Sequence, residues 1–295
     1  MSANRALRLL VLLLPLAAGT ARGEALVLSW SSSVYQDAQE VPLAAPEGVA
    51  CTASSFAVAD TGKQRILLFA MKPGGVAAQT GEVKLSQVPV PVRLQADSKG
   101  NLLALDGKSH KIVRINPAGA FAGFVDLKGG PAAPAVVAFK LDAGDGLYAL
   151  DAASGKLLVA DAAGAVSRQV ELPKGPLFTD LTVVGGTVFA VDGVGATVWS
   201  VEREGKAFAQ VGASLKDRMS FPAYITSFQG KLLLVDQNGM GIVTLGLDGS
   251  YLGRQLALGW NDGFVYYPSQ LCFNEGGDAF LADRGNNRVQ LFTTK

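Results

Sequence analysis

LADRGNNRVQLF, Leu281 to Phe292, reads as an apolar strand running into an aspartate, a tight turn, an arginine and a second apolar strand. VADTGKQRILLF, Val58 to Phe69, has the same order of parts. Working outward from these two, Asp-ended apolar segments recur at Asp60, Asp106, Asp151, Asp192, Asp236 and Asp283, spaced 41 to 47 residues apart. A second marker lies upstream of each, at Pro46, Pro91, Pro134, Pro176, Pro222 and Pro268, spaced 42 to 46 residues. Two markers in step six times define six structural repeats, and repeats of this length announce solenoids or propellers.

Each unit carries four strand-like segments. After the proline come about six residues of mixed polarity and a turn such as DSKGN (97–101) or NEGGD (274–278), composed of residues that tolerate positive φ or bond their own backbone. The Asp-ended strand follows, then a third strand (RILLFA, KIVRI, KLLVA, TVWSV, GIVTL, RVQLF), then a Gly-containing hairpin into a fourth. Near-continuous apolar runs suit sheets covered on both faces. The expected fold is therefore all-β: a six-bladed β-propeller of four-stranded antiparallel blades. The blades lie near 46–90, 91–133, 134–175, 176–221, 222–267 and 268–295 plus 25–32. The sixth unit reaches Lys295 after three strands, so its fourth is expected from ALVLSW (25–30), because an unpaired edge would invite aggregation.

Residues 1–23 read as a signal peptide: Arg5 and Arg8, the apolar run Leu9–Ala18, then small residues before Glu24. The run is too short for a membrane span. An exported, periplasmic or extracellular, monomeric domain of residues 24–295 is expected. Cleavage removes Arg5, Arg8 and Arg22 and no acid, leaving 23 bases against 25 acids. Nucleic acid is excluded as a partner, since its binding calls for a basic face. One histidine and two cysteines exclude a three-histidine metal centre and a four-ligand zinc site, and no cofactor is expected.

The repeat resembles the NHL repeat, P-x-G-(I/V)-A followed by (V/L)-A-D-x-G-N-x-R-(I/V)-x-(V/L)-F. Leu281–Phe292 matches it best, and Val58–Phe69, with Pro46, Gly48, Val49 and Ala50 before it, is close. Units two to five keep the Pro and Asp markers, but Lys111, Lys156, Thr197 and Gly241 stand near the arginine position. The resemblance implies a six-bladed propeller whose relatives are mostly binding platforms for protein or RNA, with a few lyases among them. Those lyases hold a metal on several histidines, so their site does not carry over to a chain with His110 alone.

The six aspartates read as structural, accepting turn amides and, in units one and six, pairing with Arg65 and Arg288. His110 reads as a solvated turn residue. Cys51 and Cys272, on inner strands of neighbouring units, are expected by default as buried free thiols, because packed sheets stand ~10 Å apart; the alternative is a bridge between them, which an exported protein could form. The functional lead is the face formed by the inter-blade connections, which should gather Trp260, Tyr266, Tyr267 and Arg218, with Arg93, Tyr224 and Gln270 at the channel mouth beside them. The tyrosines there can equally cap the blade gaps; Trp260 is assigned to contact. The expected function is a non-catalytic scaffold for a protein or glycan. The alternative is a propeller hydrolase or lactonase with a central calcium, for which Asp180 and Asn274 are the available oxygen donors on the inner strands.

Overall fold

A computed structural model describes residues 24–71 and 77–295; the expected signal peptide lies outside them. The described chain is all-β, with two single-turn 3₁₀ segments, Thr61–Lys63 and Arg284–Asn286. No helix among the described residues is long and apolar enough to cross a membrane.

The first blade comprises β2 (Gly48–Cys51), β3 (Ser55–Asp60), β4 (Arg65–Met71) and β5 (Ala77–Val83). The second holds β6 (Pro91–Ala96), β7 (Leu102–Asp106), β8 (Ile112–Ile115) and β9 (Phe121–Phe124). The third holds β10 (Val136–Leu141), β11 (Leu147–Asp151), β12 (Lys156–Ala160) and β13 (Val166–Glu171). In the fourth are β14 (Phe178–Val184), β15 (Thr187–Asp192), β16 (Thr197–Val201) and β17 (Ala209–Val211). In the fifth are β18 (Pro222–Phe228), β19 (Lys231–Asp236), β20 (Gly241–Gly246) and β21 (Tyr251–Gln255). The sixth takes β22 (Pro268–Phe273), β23 (Ala279–Asp283) and β24 (Arg288–Thr294) from the end of the chain and β1 (Leu28–Val34) from its start. All pairings within the blades are antiparallel, and each inner strand packs on the next, with β22 meeting β2 to close the ring.

Apart from the first residue of β3, β15 and β19, the Asp-ended strands are buried because each lies inside a blade covered on both faces. Six apolar clusters fill the six gaps between blades. The gap between blades six and one is aromatic: Phe56 stacks on Phe69 and lies 4.8 Å, centroid to centroid, from Phe280.

The closing strand sits further along the chain than ALVLSW suggested. Pairing with β24 runs from Leu28 opposite Thr294 to Val34 opposite Val289, with a bulge between Trp30 and Ser32. Residues before it are held as well: Val27 and Lys295 exchange backbone bonds, and the Gln255 side chain of blade five bonds the backbone at Leu26 and Leu28.

The ring is closed a second time by a disulfide between Cys51 and Cys272, whose Cα atoms are 6.0 Å apart. This corrects the expectation of two free thiols. Stacked sheets stand ~10 Å apart on average, but propeller blades converge toward the axis, so inner strands come within bridging range. The bridge spans 221 residues of sequence, and such a loop restricts the unfolded chain strongly. Replacing both cysteines by serine should cost about 2–4 kcal/mol, and intact mass should rise by two hydrogens on reduction. Calorimetry with and without a phosphine reductant checks the first, and an unchanged melting temperature would contradict it.

Candidate functional site

Asp106, Asp151, Asp192 and Asp236 accept an amide of the turn that follows them. Asp60 and Asp283 make no such cap and spend that oxygen on Arg65 and Arg288, which corrects the expectation for units one and six. All six accept an amide from the connection entering their own blade. Asp60 takes Ala44 N–H at 2.6 Å, Asp106 takes Val90 at 2.8 Å, and Asp151 takes Ala135 at 2.7 Å. Asp192 takes Leu177 at 3.0 Å, Asp236 takes Phe221 at 2.8 Å, and Asp283 takes Tyr266 at 2.8 Å. The turn after the aspartate and the inter-blade connection therefore share one face. In units one and six the approach leaves room only for glycine: a Cβ on Gly62 would lie 2.7 Å from the Ala44 carbonyl oxygen, and one on Gly285 2.6 Å from that of Tyr266.

The connection into blade six is the most heavily fastened. Arg288 donates through Nε to Asp283 at 2.7 Å, through Nη1 to Asp262 at 3.0 Å and to the Tyr35 hydroxyl at 3.1 Å, and through Nη2 to the carbonyls of Asn261 and Phe264 at 2.8 Å each. Asn286 holds the Gly259 carbonyl, and Gln290 holds both the amide of Gly263 and the carbonyl of Phe264. From β1's side, Ser33 and Tyr35 donate to Asp262. A buried polar network thus fixes the backbone of residues 259–266, while the side chains above it face water. Trp260 is 72% exposed, and Trp30, Tyr35, Phe264 and Tyr267 are exposed around it. Tyr266 is half-buried between Trp260 and Tyr267, with ring centroids 6.2 and 4.7 Å away. Arg218 stands on the preceding inter-blade connection, with its guanidinium 4.2 Å from the centroid of Tyr251.

Arg93, Tyr224 and Gln270 occupy a different place. Tyr224 is 1% exposed and Gln270 is fully buried, so they fill the channel rather than rim its mouth. The cause is a register shift near the start of each of their strands, between Pro91 and Arg93, Pro222 and Tyr224, and Pro268 and Leu271; bulges re-aim side chains, here toward the axis. Gln270 bonds Leu94 through both its amide atoms and reaches the Tyr224 hydroxyl at 3.3 Å. Arg93 bonds Ser269 and the carbonyl of Ala223.

The structure adds Lys140, which sequence reasoning missed, and gives Asp180 a new setting. Lys140 donates to the Tyr224 hydroxyl, and its Nζ is 3.9 Å from Asp180 Oδ2. Asp180 accepts Ile225 N–H at 3.0 Å; burial raises its pKa, against the opposing pull of Lys140 and Arg93. A lysine within an otherwise apolar inner strand, VVAFKL, was the available signal, since lysine is almost never fully buried without a partner.

A central calcium does not fit this axis. Calcium takes six to eight oxygens, several of them carboxylates, whereas here two cations, Lys140 and Arg93, flank a single carboxylate. Asn274 is used elsewhere, bonding Asp278 through its side chain in the β22–β23 turn. Among the described residues, no group of three or more His, Cys, Asp and Glu is placed to share a metal. His110 is exposed at a positive φ, with Nδ1 3.2 Å from the Val136 carbonyl oxygen.

No protein-family model and no curated protein matches the chain. Solved structures do. A streptogramin B lyase shares 12% identity over 92% of this chain and 98% of its own, with a TM-score of 0.65. The gluconolactonase XC5397 of Xanthomonas campestris shares 12% over 92% and 89%, also at 0.65. A chain of the nidogen/laminin complex shares 14% over 78% and 92%, at 0.54. The chain is a six-bladed β-propeller. At such identities the likeness is one of fold, and enzymes and binding proteins stand side by side among these neighbours, so function has to be argued from the site.

Proposed function

We propose that this propeller is an exported, non-catalytic scaffold of NHL type that captures a protein or glycan on the face carrying its inter-blade connections. The observation that carries the reading is Trp260, 72% exposed on a backbone held by partly buried bonds from Arg288, Asn286 and Gln290. A rigid exposed aromatic contributes contact area at little entropic cost, and binding energy concentrates on such anchors. The NHL assignment is supported by the Asp–Gly–Arg pattern of units one and six, where both arginines make the expected pair. Export is supported by the disulfide, which belongs to oxidising compartments. Along the channel, Lys140 and Gln270 both bond the Tyr224 hydroxyl.

Trp260→Ala combined with Tyr267→Ala should leave the melting temperature within a degree or two and weaken partner affinity by about 30-fold or more, the scale of an interface hot spot. The measurement compares wild type and the double variant as immobilised baits against the native envelope fraction, with and without glycosidase treatment, followed by titration of the retained partner. Equal retention by both baits would reject the loop face. Lactone hydrolysis by wild type that is lost in Asp180→Asn would favour the hydrolase instead.

A further inference from the structure

At the end of the channel away from the inter-blade connections lies a cavity of about 240 Å³, to which all six inner strands contribute. Its polar lining includes Lys140, Gln95, Thr182 and Ser227. Its apolar wall includes Phe228 and Phe273, stacked with centroids 4.4 Å apart and planes within 9°, next to the Cys51–Cys272 bridge. Among the described residues, Lys140 is the one charged side chain in the lining. An ammonium has three protons to donate, and among the described residues Lys140 places one hydrogen bond, on the Tyr224 hydroxyl, with its Nζ 3.9 Å from the centroid of the same ring. Asp180 does not satisfy the others: at 3.9 Å it is beyond hydrogen-bonding reach of Nζ. Its second oxygen, Oδ1, is buried without a hydrogen-bond partner of good geometry. Arg93, deeper in the channel, has a buried Nε without an acceptor. The axis therefore holds two cations against one carboxylate, in surroundings where an uncompensated charge is costly.

We propose that this cavity binds a small carboxylate with a compact apolar body. One cation with neutral amide and hydroxyl neighbours matches a single negative charge better than a phosphate dianion. The paired phenylalanines offer the body a flat apolar surface. At about 30 Å³ per water, the space equals roughly eight waters, which suits a ligand of on the order of ten heavy atoms. The site faces away from Trp260 and does not depend on the scaffold reading.

The test uses the full chain from residue 24, titrated by calorimetry and thermal shift with benzoate, hexanoate, benzamide and inorganic phosphate at matched ionic strength. Benzoate or hexanoate should bind with one-to-one stoichiometry and raise the melting temperature, at least tenfold more tightly than benzamide or phosphate. Lys140→Met should remove the binding. Ser227→Phe, which fills the mouth and leaves Lys140, Tyr224 and Asp180 intact, should remove it too, and decides the matter if the lysine variant does not fold. Trp260→Ala should bind as wild type does. Carboxylate binding no tighter than benzamide, retention in Ser227→Phe, tighter binding of phosphate, or no binding of either carboxylate at millimolar concentration would each overturn the proposal.

Discussion

Deleting residues 24–34 is expected to abolish cooperative folding of the ring. The deletion removes all of β1, and with it the pairing that covers β24 from Val289 to Thr294. It also removes Leu26 and Leu28, 2% and 8% exposed in the cluster between blades five and six. Burying two such side chains contributes roughly 3–6 kcal/mol, before any strand hydrogen bond is counted. Domain stabilities are ~5–15 kcal/mol, so the loss approaches the whole margin. The remaining molecule would present β24 as an open apolar edge, the template on which strands of other molecules add. Melting followed by circular dichroism and light scattering, against the chain beginning at Glu24, should show aggregation in place of a reversible transition. A soluble truncated protein with an unchanged melting curve would mean that the disulfide and the blade contacts close the ring unaided.

The fold was legible because a propeller writes its period into local chemistry. Each blade needs a proline-led entry and an aspartate at the end of its second strand, and those two residues can be counted. The second bond of each aspartate was not legible, since Asp283 meets Tyr266 only after a whole strand has turned back beneath the connection. Unit five shows the same limit. Gly241 stands where the arginine is expected, yet Asp236 still has a guanidinium, Arg254, delivered by β21 at 2.9 Å. A buried carboxylate requires a partner, but the strand that supplies it is a property of packing. The bridge between Cys51 and Cys272 was missed for a geometric reason: its reach depends on how close blades come near the axis. The channel was read least well. Tyr224 and Gln270 were placed at a mouth and lie inside, because a bulge near the start of a strand leaves no trace in residue spacing.

Arg288 joins the stability of the ring to the shape of its binding face, and Arg288→Met tests both. The arginine is 1% exposed, Asp283 beneath it is fully buried, and methionine keeps much of the side-chain volume while removing charge and donors. Breaking one side of a buried pair costs about 3–5 kcal/mol, because the surviving charge is left uncompensated; for a domain of this size that corresponds to a fall in melting temperature of roughly 10 °C. Asp283→Asn should cost less, since a neutral amide can still accept from Tyr266. Combining it with Arg288→Met should cost less than the two losses added, because the asparagine leaves no carboxylate to strand. Arg254→Met in blade five provides the contrast: both aspartates keep neutral donors when the arginine is lost, but Arg254 is partly exposed where Arg288 is buried, so the loss should be smaller. Unlike Arg254, Arg288 also holds the carbonyls of Asn261 and Phe264 and the carboxylate of Asp262. Well below its melting temperature, the folded Arg288→Met protein should therefore bind the loop-face partner more weakly, while Arg254→Met, whose arginine holds the Arg218 carbonyl at the edge of that face, should lose less. Equal affinity in both variants would detach the platform around Trp260 from the network under it, and place the contact surface elsewhere on the ring.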